Sequence, residues 1–166
     1  YGLYKNFGIP LDEGRELLRK YLEEVYPEYK AFKEVAGQRI LEQGWSTTLL
    51  GRKRFFEKKV LYSDYREKER TEASIIREGI NLIIQGGGAD VIKESLVRMF
   101  TENPWGDDKF KIILQVYDEI IIEASEEIAE DAKEFICKIM MECEEKFLQG
   151  VVLPEVDSKI GNCWLH

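Results

Sequence analysis

Near the start of the chain, Leu18, Tyr21, Leu22 and Val25 stand at i, i+3, i+4 and i+7 behind Pro10 and the acidic pair Asp12-Glu13. That spacing predicts an amphipathic helix with carboxylates in its first turn. Tyr26-Pro27 interrupts it, and Tyr29, Phe32, Ala36 and Ile40 carry a second helix that ends near Gly44. From Trp45 to Val60 the spacing shifts toward short extended pieces around Gly51. A long helix is expected from about Ser63 to Gln85, broken by Gly86-Gly87-Gly88 and resuming at Asp90 with Ile92, Leu96, Met99 and Phe100 on one face. After the turn cluster of residues 103–108, two β-branched runs, Phe110 to Tyr117 and Ile120 to Ala124, flank Asp118-Glu119 and predict a hairpin. Ser125 opens a last helix whose core face is Ile128, Ala132, Phe135, Ile136, Ile139, Cys143 and Phe147. Gly150 closes it, and Val151 to Val156 reads as a final strand. Helices mixed with a hairpin and short strands, without an internal repeat, predict an α+β fold.

Charge changes the picture through its distribution. The formal charge of -8 hides 16 basic and 13 acidic side chains in residues 1–77 against 8 and 19 in residues 78–166. The acidic half is an unusual phosphate-binding surface, but it suits a divalent cation. Most of the cationic side chains near the middle, Arg52, Lys53, Arg54, Lys58 and Lys59, lie in one short stretch able to track a phosphate backbone or to form an ordinary basic loop. Phe55, Phe56, Tyr62 and Tyr65 lie near it, available to stack on bases or to fill a core. No apolar run approaches the ~20 residues of a membrane span and no signal peptide is evident, which points to an intracellular protein. Cys137, Cys143 and Cys163 have neither the number nor the spacing of a disulfide framework or a zinc site and are expected to be reduced and buried. With His166 as the sole histidine and no Gly-x-Ser-x-Gly elbow, nucleophilic hydrolase chemistry is set aside.

Two constellations remain. Asp118 and Glu119 place adjacent carboxylates at a turn between strands, a plausible Mg2+ site because that ion takes one or two protein carboxylates and completes its shell with water and substrate phosphates. A polar hairpin turn is the other account of the pair. Arg77, Asn81 and Gln85 recur at i, i+4 and i+8, so one helix face offers donors and acceptors suited to base edges or sugar–phosphate oxygens, or simply to solvent. The glycine triplet matches neither the dinucleotide fingerprint nor a phosphate-binding loop.

The blocks Thr48-Leu49-Leu50-Gly51-Arg52-Lys53-Arg54, Arg77 to Asp90 and Gln115-Val116-Tyr117-Asp118-Glu119 occur in this order. The first is similar to a Thr-Leu-x-Gly-Arg-Arg segment. The second is similar to Arg-x-x-Ile-Asn-x-x-x-Gln-Gly-x-x-Ala-Asp, matched at Arg77, Ile80, Asn81, Gln85, Gly86, Ala89 and Asp90. The third is similar to a Gln-Val-His-Asp-Glu hairpin. Together the chain resembles, over essentially its whole length, the C-terminal part of a family A (DNA polymerase I-like) DNA polymerase.

The resemblance implies a polymerase palm hairpin and sheet with packed helices, plus the helical remainder of the fingers. Residues 1–70 would belong to the fingers and 71–166 to the palm. It implies transfer of a deoxynucleotide from a deoxynucleoside triphosphate to a primer 3′-hydroxyl on a DNA template, assisted by two Mg2+ ions. Asp118 and Glu119 would be the catalytic metal ligands; Arg77, Asn81, Gln85, Gln115, Tyr117, Arg52 and Arg54 would bind primer–template DNA. Residues 156–166 would form the family's C-terminal strand and reach the end of the protein. Tyr117 departs from the family's usual histidine and cannot carry its positive charge. The second aspartate and the triphosphate-gripping helix lie upstream of the matched blocks, so the chain alone is expected to be inactive, the remainder being supplied by another chain or segment. The setting would be cytoplasmic, at the nucleoid, or its viral or organellar equivalent. The competing reading is a non-catalytic DNA- or partner-binding module of polymerase ancestry.

Overall fold

The computed structural model describes residues 2–57 and 63–164 and has an α+β fold. Lys58, Lys59 and Tyr62, with Tyr1 and His166, lie outside the described residues. The chain divides into two compact units, Tyr1–Ser46 with Lys53–Asn81 and Thr47–Arg52 with Leu82–His166.

In the first unit, α1 (Gly2–Phe7) leads to α2 (Leu11–Lys20), which starts directly after Pro10 as its acidic first turn predicts. It widens into a π-helical turn at Tyr21–Val25, closed by the Tyr26 N–H on the Tyr21 carbonyl at 2.9 Å. Pro27 then opens α3 (Pro27–Gln43), where its missing N–H costs nothing. Gly44, at φ 79°, ends the helix and returns its N–H to the Ile40 carbonyl. Strands β1 (Trp45–Thr47) and β2 (Lys53–Phe55) pair on either side of Gly51, the extended pieces expected there. The start of α4 packs against α3 through reciprocal glycine–isoleucine contacts. A Cβ on Gly37 would lie 2.9 Å from Ile76, and one on Gly79 would lie 2.7 Å from Ile40.

Helix α4 runs without interruption from Tyr65 to Thr101. Asp64 and Glu67 cap it by accepting the Glu67 and Ser63 N–H groups respectively. The expected break at the glycine triplet does not occur. In the second unit two of those glycines serve close approach: Cβ atoms on Gly86 and Gly87 would stand 2.6 Å from Thr48 Cγ2 and 2.9 Å from Leu49 Cδ1, whereas a Cβ on Gly88 would point into open space. Gly88→Ala is therefore expected to stabilise the fold by about 0.5–1 kcal/mol, through helix propensity and a less flexible unfolded chain. Gly86→Ala is expected to destabilise it by about 1–3 kcal/mol, because the β-branched Thr48 has no flexible end to move aside. Denaturant unfolding of both variants checks this pair of signs; a stabilising Gly86→Ala would contradict the packing.

The hairpin of the second unit comprises β3 (Phe110–Val116) and β4 (Glu119–Ala124), antiparallel from Phe110↔Ala124 to Val116↔Glu119. Ile112 pairs with Ile122 and Leu114 with Ile121, so Ile113 is the extra residue of a β-bulge. After a 3₁₀ turn at Glu126–Ile128 comes α5 (Ala129–Leu148). Its expected apolar face holds as far as Cys143: Met99, Ile139 and Cys143 form one buried cluster and Phe110, Ile128 and Ala132 another, with Phe135 and Ile136 against both, while Phe147 is half-buried outside them. Trp105, from the turn cluster, lies 5.8 Å from Phe110 and 5.4 Å from Phe135 between ring centroids. Arg98 on α4 donates to Glu102 and, across to α5, to Glu142, which holds the Glu102 carboxyl below its usual range.

Three further expectations are corrected. Residues 151–156 form no strand, because a strand needs a ladder partner and β3 pairs only with β4 among the described residues. Nor do 156–164 form one. Of the three cysteines, all free, only Cys143 is fully buried; Cys137 is half-buried and Cys163 exposed on that irregular tail.

Candidate functional site

The hairpin tip gathers four of the residues singled out from the sequence. Pairing of Val116 with Glu119 leaves a two-residue loop, Tyr117-Asp118, one position earlier than expected. Asp118 thus occupies the turn, while Glu119 is the first residue of β4. The shift arises at Tyr117, which takes φ 54°. Two-residue hairpin loops favour positive φ because the twist of such turns matches that of the strands. A tyrosine in this region is uncommon, and such backbone costs of order 1–3 kcal/mol unless its surroundings hold it. Gln115 helps to hold it, donating from Nε2 to the Tyr117 carbonyl at 2.9 Å. The Tyr117 ring is 90% exposed and so makes no packing contribution of its own.

Both carboxylates of the tip are exposed. Among the described residues no hydrogen bond or ion pair occupies Asp118, whereas Glu119 accepts the indole N–H of Trp164 at 2.9 Å. Trp164 is a residue the sequence reading missed. Its position in a tail read as strand gave no hint that its polar edge reaches the hairpin. No group of three or more His, Cys, Asp or Glu side chains able to hold a metal ion occurs among the described residues. The donor set nevertheless fits Mg2+ in part, since two hard carboxylates on adjacent residues, one of them unengaged, match the few protein ligands this ion takes.

The other candidates are carried elsewhere. Arg77, Asn81 and Gln85 are all exposed along α4, with Arg77 and Asn81 in the first unit and Gln85 in the second. Arg77 also touches Ser74 Oγ at 3.1 Å, a neighbour on its own helix. The basic stretch is less free than its charge suggests. Arg52 pairs with Asp90 at 3.2 Å, Lys53 lies 4.3 Å from the centre of the Trp45 ring, and Arg54 pairs with Glu78. Of the nearby aromatics, Phe55 and Tyr65 are exposed and Phe56 is half-buried beneath Arg54. No helix among the described residues is long and apolar enough to cross a membrane.

Comparison with known proteins supplies the family. The family model for "DNA polymerase family A" matches residues 1–166. DNA polymerase I of Borreliella burgdorferi is 35% identical over 142 residues, covering 86% of this chain and 15% of that protein. DNA polymerase I of Bacillus caldotenax is 29% identical over 99% of this chain and 18% of its own length. The chloroplastic/mitochondrial DNA polymerase I B of Arabidopsis thaliana is 28% identical over 98% and 15%. The chain therefore spans between 15% and 18% of the length of these relatives. Among solved structures, the POL domain of Pol1 from M. smegmatis, in complex with DNA primer-template and dNTP, shares the fold at a TM-score of 0.69 and 22% identity, over 86% of this chain and 24% of that one. A model that matches every residue, together with relatives aligned from end to end, leads to one assignment: the chain belongs to DNA polymerase family A.

Proposed function

We propose that the chain is the C-terminal part of the fingers (residues 1–70) and of the palm (71–166) of a DNA-directed DNA polymerase, acting with an upstream segment that brings the second aspartate and the triphosphate site. The single observation that carries this reading is the hairpin tip, where an unengaged Asp118 stands beside Glu119 on a turn braced by Gln115. The family assignment and the primer-template and dNTP bound to the M. smegmatis domain support the same substrates here.

Asp118 and Glu119 would hold Mg2+ together with that upstream aspartate; the bound ions supply charge stabilisation for the attacking and leaving oxygens of phosphoryl transfer. The tasks of the chain itself are positional. Asp118 presents an unengaged carboxylate at the tip, and the Trp164 bond helps to orient Glu119 beside it. Arg77, Asn81 and Gln85 offer hydrogen-bond partners to the minor groove of primer–template DNA, where correct pairs of either orientation present similar acceptors. Such contacts favour duplex geometry over any particular sequence. Arg52 and Arg54 would meet phosphates, and Gln115 and Tyr117 the primer end. Tyr117, a neutral phenol, offers that end a hydrogen bond without a cation.

The test is primer extension on a primed DNA template, with the chain alone, with the upstream polymerase segment present, and with EDTA. The expected result is nucleotide incorporation only when the segment and Mg2+ are both present. Absence of incorporation in the reassembled protein, with DNA binding retained, would make the chain a non-catalytic DNA-binding module.

A further inference from the structure

Asp90 is, among the described residues, the one buried carboxylate of the second unit, and both of its oxygens reach out of its own helix. Its side chain is 5% exposed. A buried carboxylate is costly unless paired and hydrogen-bonded. Both partners come from the turn between β1 and β2: Oδ2 accepts the Leu50 N–H at 3.0 Å and Oδ1 accepts Arg52 Nη2 at 3.2 Å. The same turn is closed internally. The Thr48 carbonyl accepts the Gly51 N–H at 3.0 Å, the Thr48 N–H donates to the Arg52 carbonyl at 3.0 Å, and Thr48 Oγ1 accepts the Arg52 N–H at 3.2 Å. Gly86 and Gly87 bring α4 against Thr48 and Leu49 from beneath. Thr48 is buried against α4, but the apolar side chains of Leu49 and Leu50 stay half-exposed, so packing does not by itself hold the Leu50–Arg52 end of this turn. Polar contacts to a residue 38–40 positions away do.

We propose that Asp90 is a positioning residue for DNA binding: it fixes the Thr48–Arg52 turn and locks the Arg52 guanidinium by one amino group, so that its remaining donors meet a DNA phosphate in a fixed geometry. The inference rests on the reading of Arg52 as a DNA contact. The Arg52 side chain is 47% exposed, and among the described residues only Nη2 has a partner. A guanidinium is suited to this double engagement because its planar fork holds five donors in fixed directions, whereas a lysine ammonium is a single point of charge. Held on one edge, the fork remains able to grip a phosphate with the other, and little side-chain freedom is left to lose on binding.

A positioning role and a plain counter-charge predict opposite signs. Removing a negative charge beside Arg52 should tighten binding to a polyanion if charge alone matters. It should weaken binding if Asp90 orients the fork. The experiment measures fluorescence anisotropy of a labelled primer–template across a salt series, using the polymerase with its upstream segment present. Arg52→Ala is expected to weaken binding about tenfold, the loss of one charge-assisted contact, and to lower the salt slope by about 1. Asp90→Asn is expected to do the same, and to add nothing in the Arg52→Ala background. Tighter or unchanged binding by a folded Asp90→Asn would overturn the proposal. Should that variant fail to fold, Arg52→Lys at its exposed position decides: binding as weak as Arg52→Ala supports the held fork, and parental binding overturns it. No effect of Arg52→Ala would remove Arg52 as a contact and the inference with it, yet would leave the Asp118 reading standing, since primer extension tests that separately.

Discussion

Replacing Asp118 with alanine is expected to lower primer extension by the reassembled polymerase by on the order of 10³-fold while leaving its unfolding midpoint almost unchanged. The activity loss follows from what the residue would do. A metal-assisted phosphoryl transfer draws several kcal/mol of transition-state stabilisation from the bound ions, and each 1.4 kcal/mol is about tenfold in rate. The stability result follows from what the residue touches. Asp118 lies exposed on the turn, and among the described residues no hydrogen bond or ion pair depends on it. Exposed substitutions of this kind stay within about 0.5 kcal/mol. Glu119→Ala should differ on both counts, since it releases the Trp164 indole as well as a carboxylate. Steady-state extension assays paired with thermal unfolding check the separation. Parental extension by Asp118→Ala would reject the metal-ligand role.

Phe110→Ala is expected to be the mirror case, costing about 3–5 kcal/mol of stability and carrying activity down with it. Phe110 is 2% exposed and begins the strand that leads to the tip. Its ring meets Trp105 and Phe135 at 5.8 Å from each, so truncation leaves two aromatic neighbours facing a void. Such ring pairs contribute beyond the area they bury, and a core closed by α5 has limited scope to collapse into the space. A loss of this size is a large share of the 5–15 kcal/mol that holds a typical domain folded. Denaturant unfolding measures it directly. A cost below about 1 kcal/mol would show that the aromatic triangle does not close the base of the hairpin.

What was legible in the sequence was whatever a local pattern decides. The helix at Leu11, the stop at Gly44 and the hairpin between two β-branched runs each follow from signals within a few residues. The face of α5 was legible for the same reason, because helical spacing alone sorts Ala132, Ile136, Ile139 and Cys143 to one side. The misreadings are places where a distant partner decides. The glycine triplet looks like punctuation until Thr48 and Leu49 are seen to need the space. Val151 to Val156 reads as a strand from its Val-Val-Leu run, but a strand exists only as one side of a ladder. The turn of the hairpin moved by one residue because a tyrosine took a backbone conformation usually left to glycine or asparagine. For the candidate site, the adjacent carboxylates made Asp118 and Glu119 candidates and the family resemblance added Gln115, but neither gave a sign of Trp164, which approaches from 45 positions away.

The bulge at Ile113 bears on how this hairpin can change over time. Residues opposed across a ladder share a face, so Gln115 stands on the side of Ile120, which together with Ile112 and Ile122 packs on the helices. A strict two-residue alternation from Ile112 would have put Leu114 there and turned Gln115 to the opposite side. The extra residue thus sets the parity of everything between itself and the turn. Side chains at the tip can be exchanged one at a time with local effects, but adding or removing one residue in β3 would invert the tip as a block. Substitution is therefore the open route for variation here, and length change the closed one.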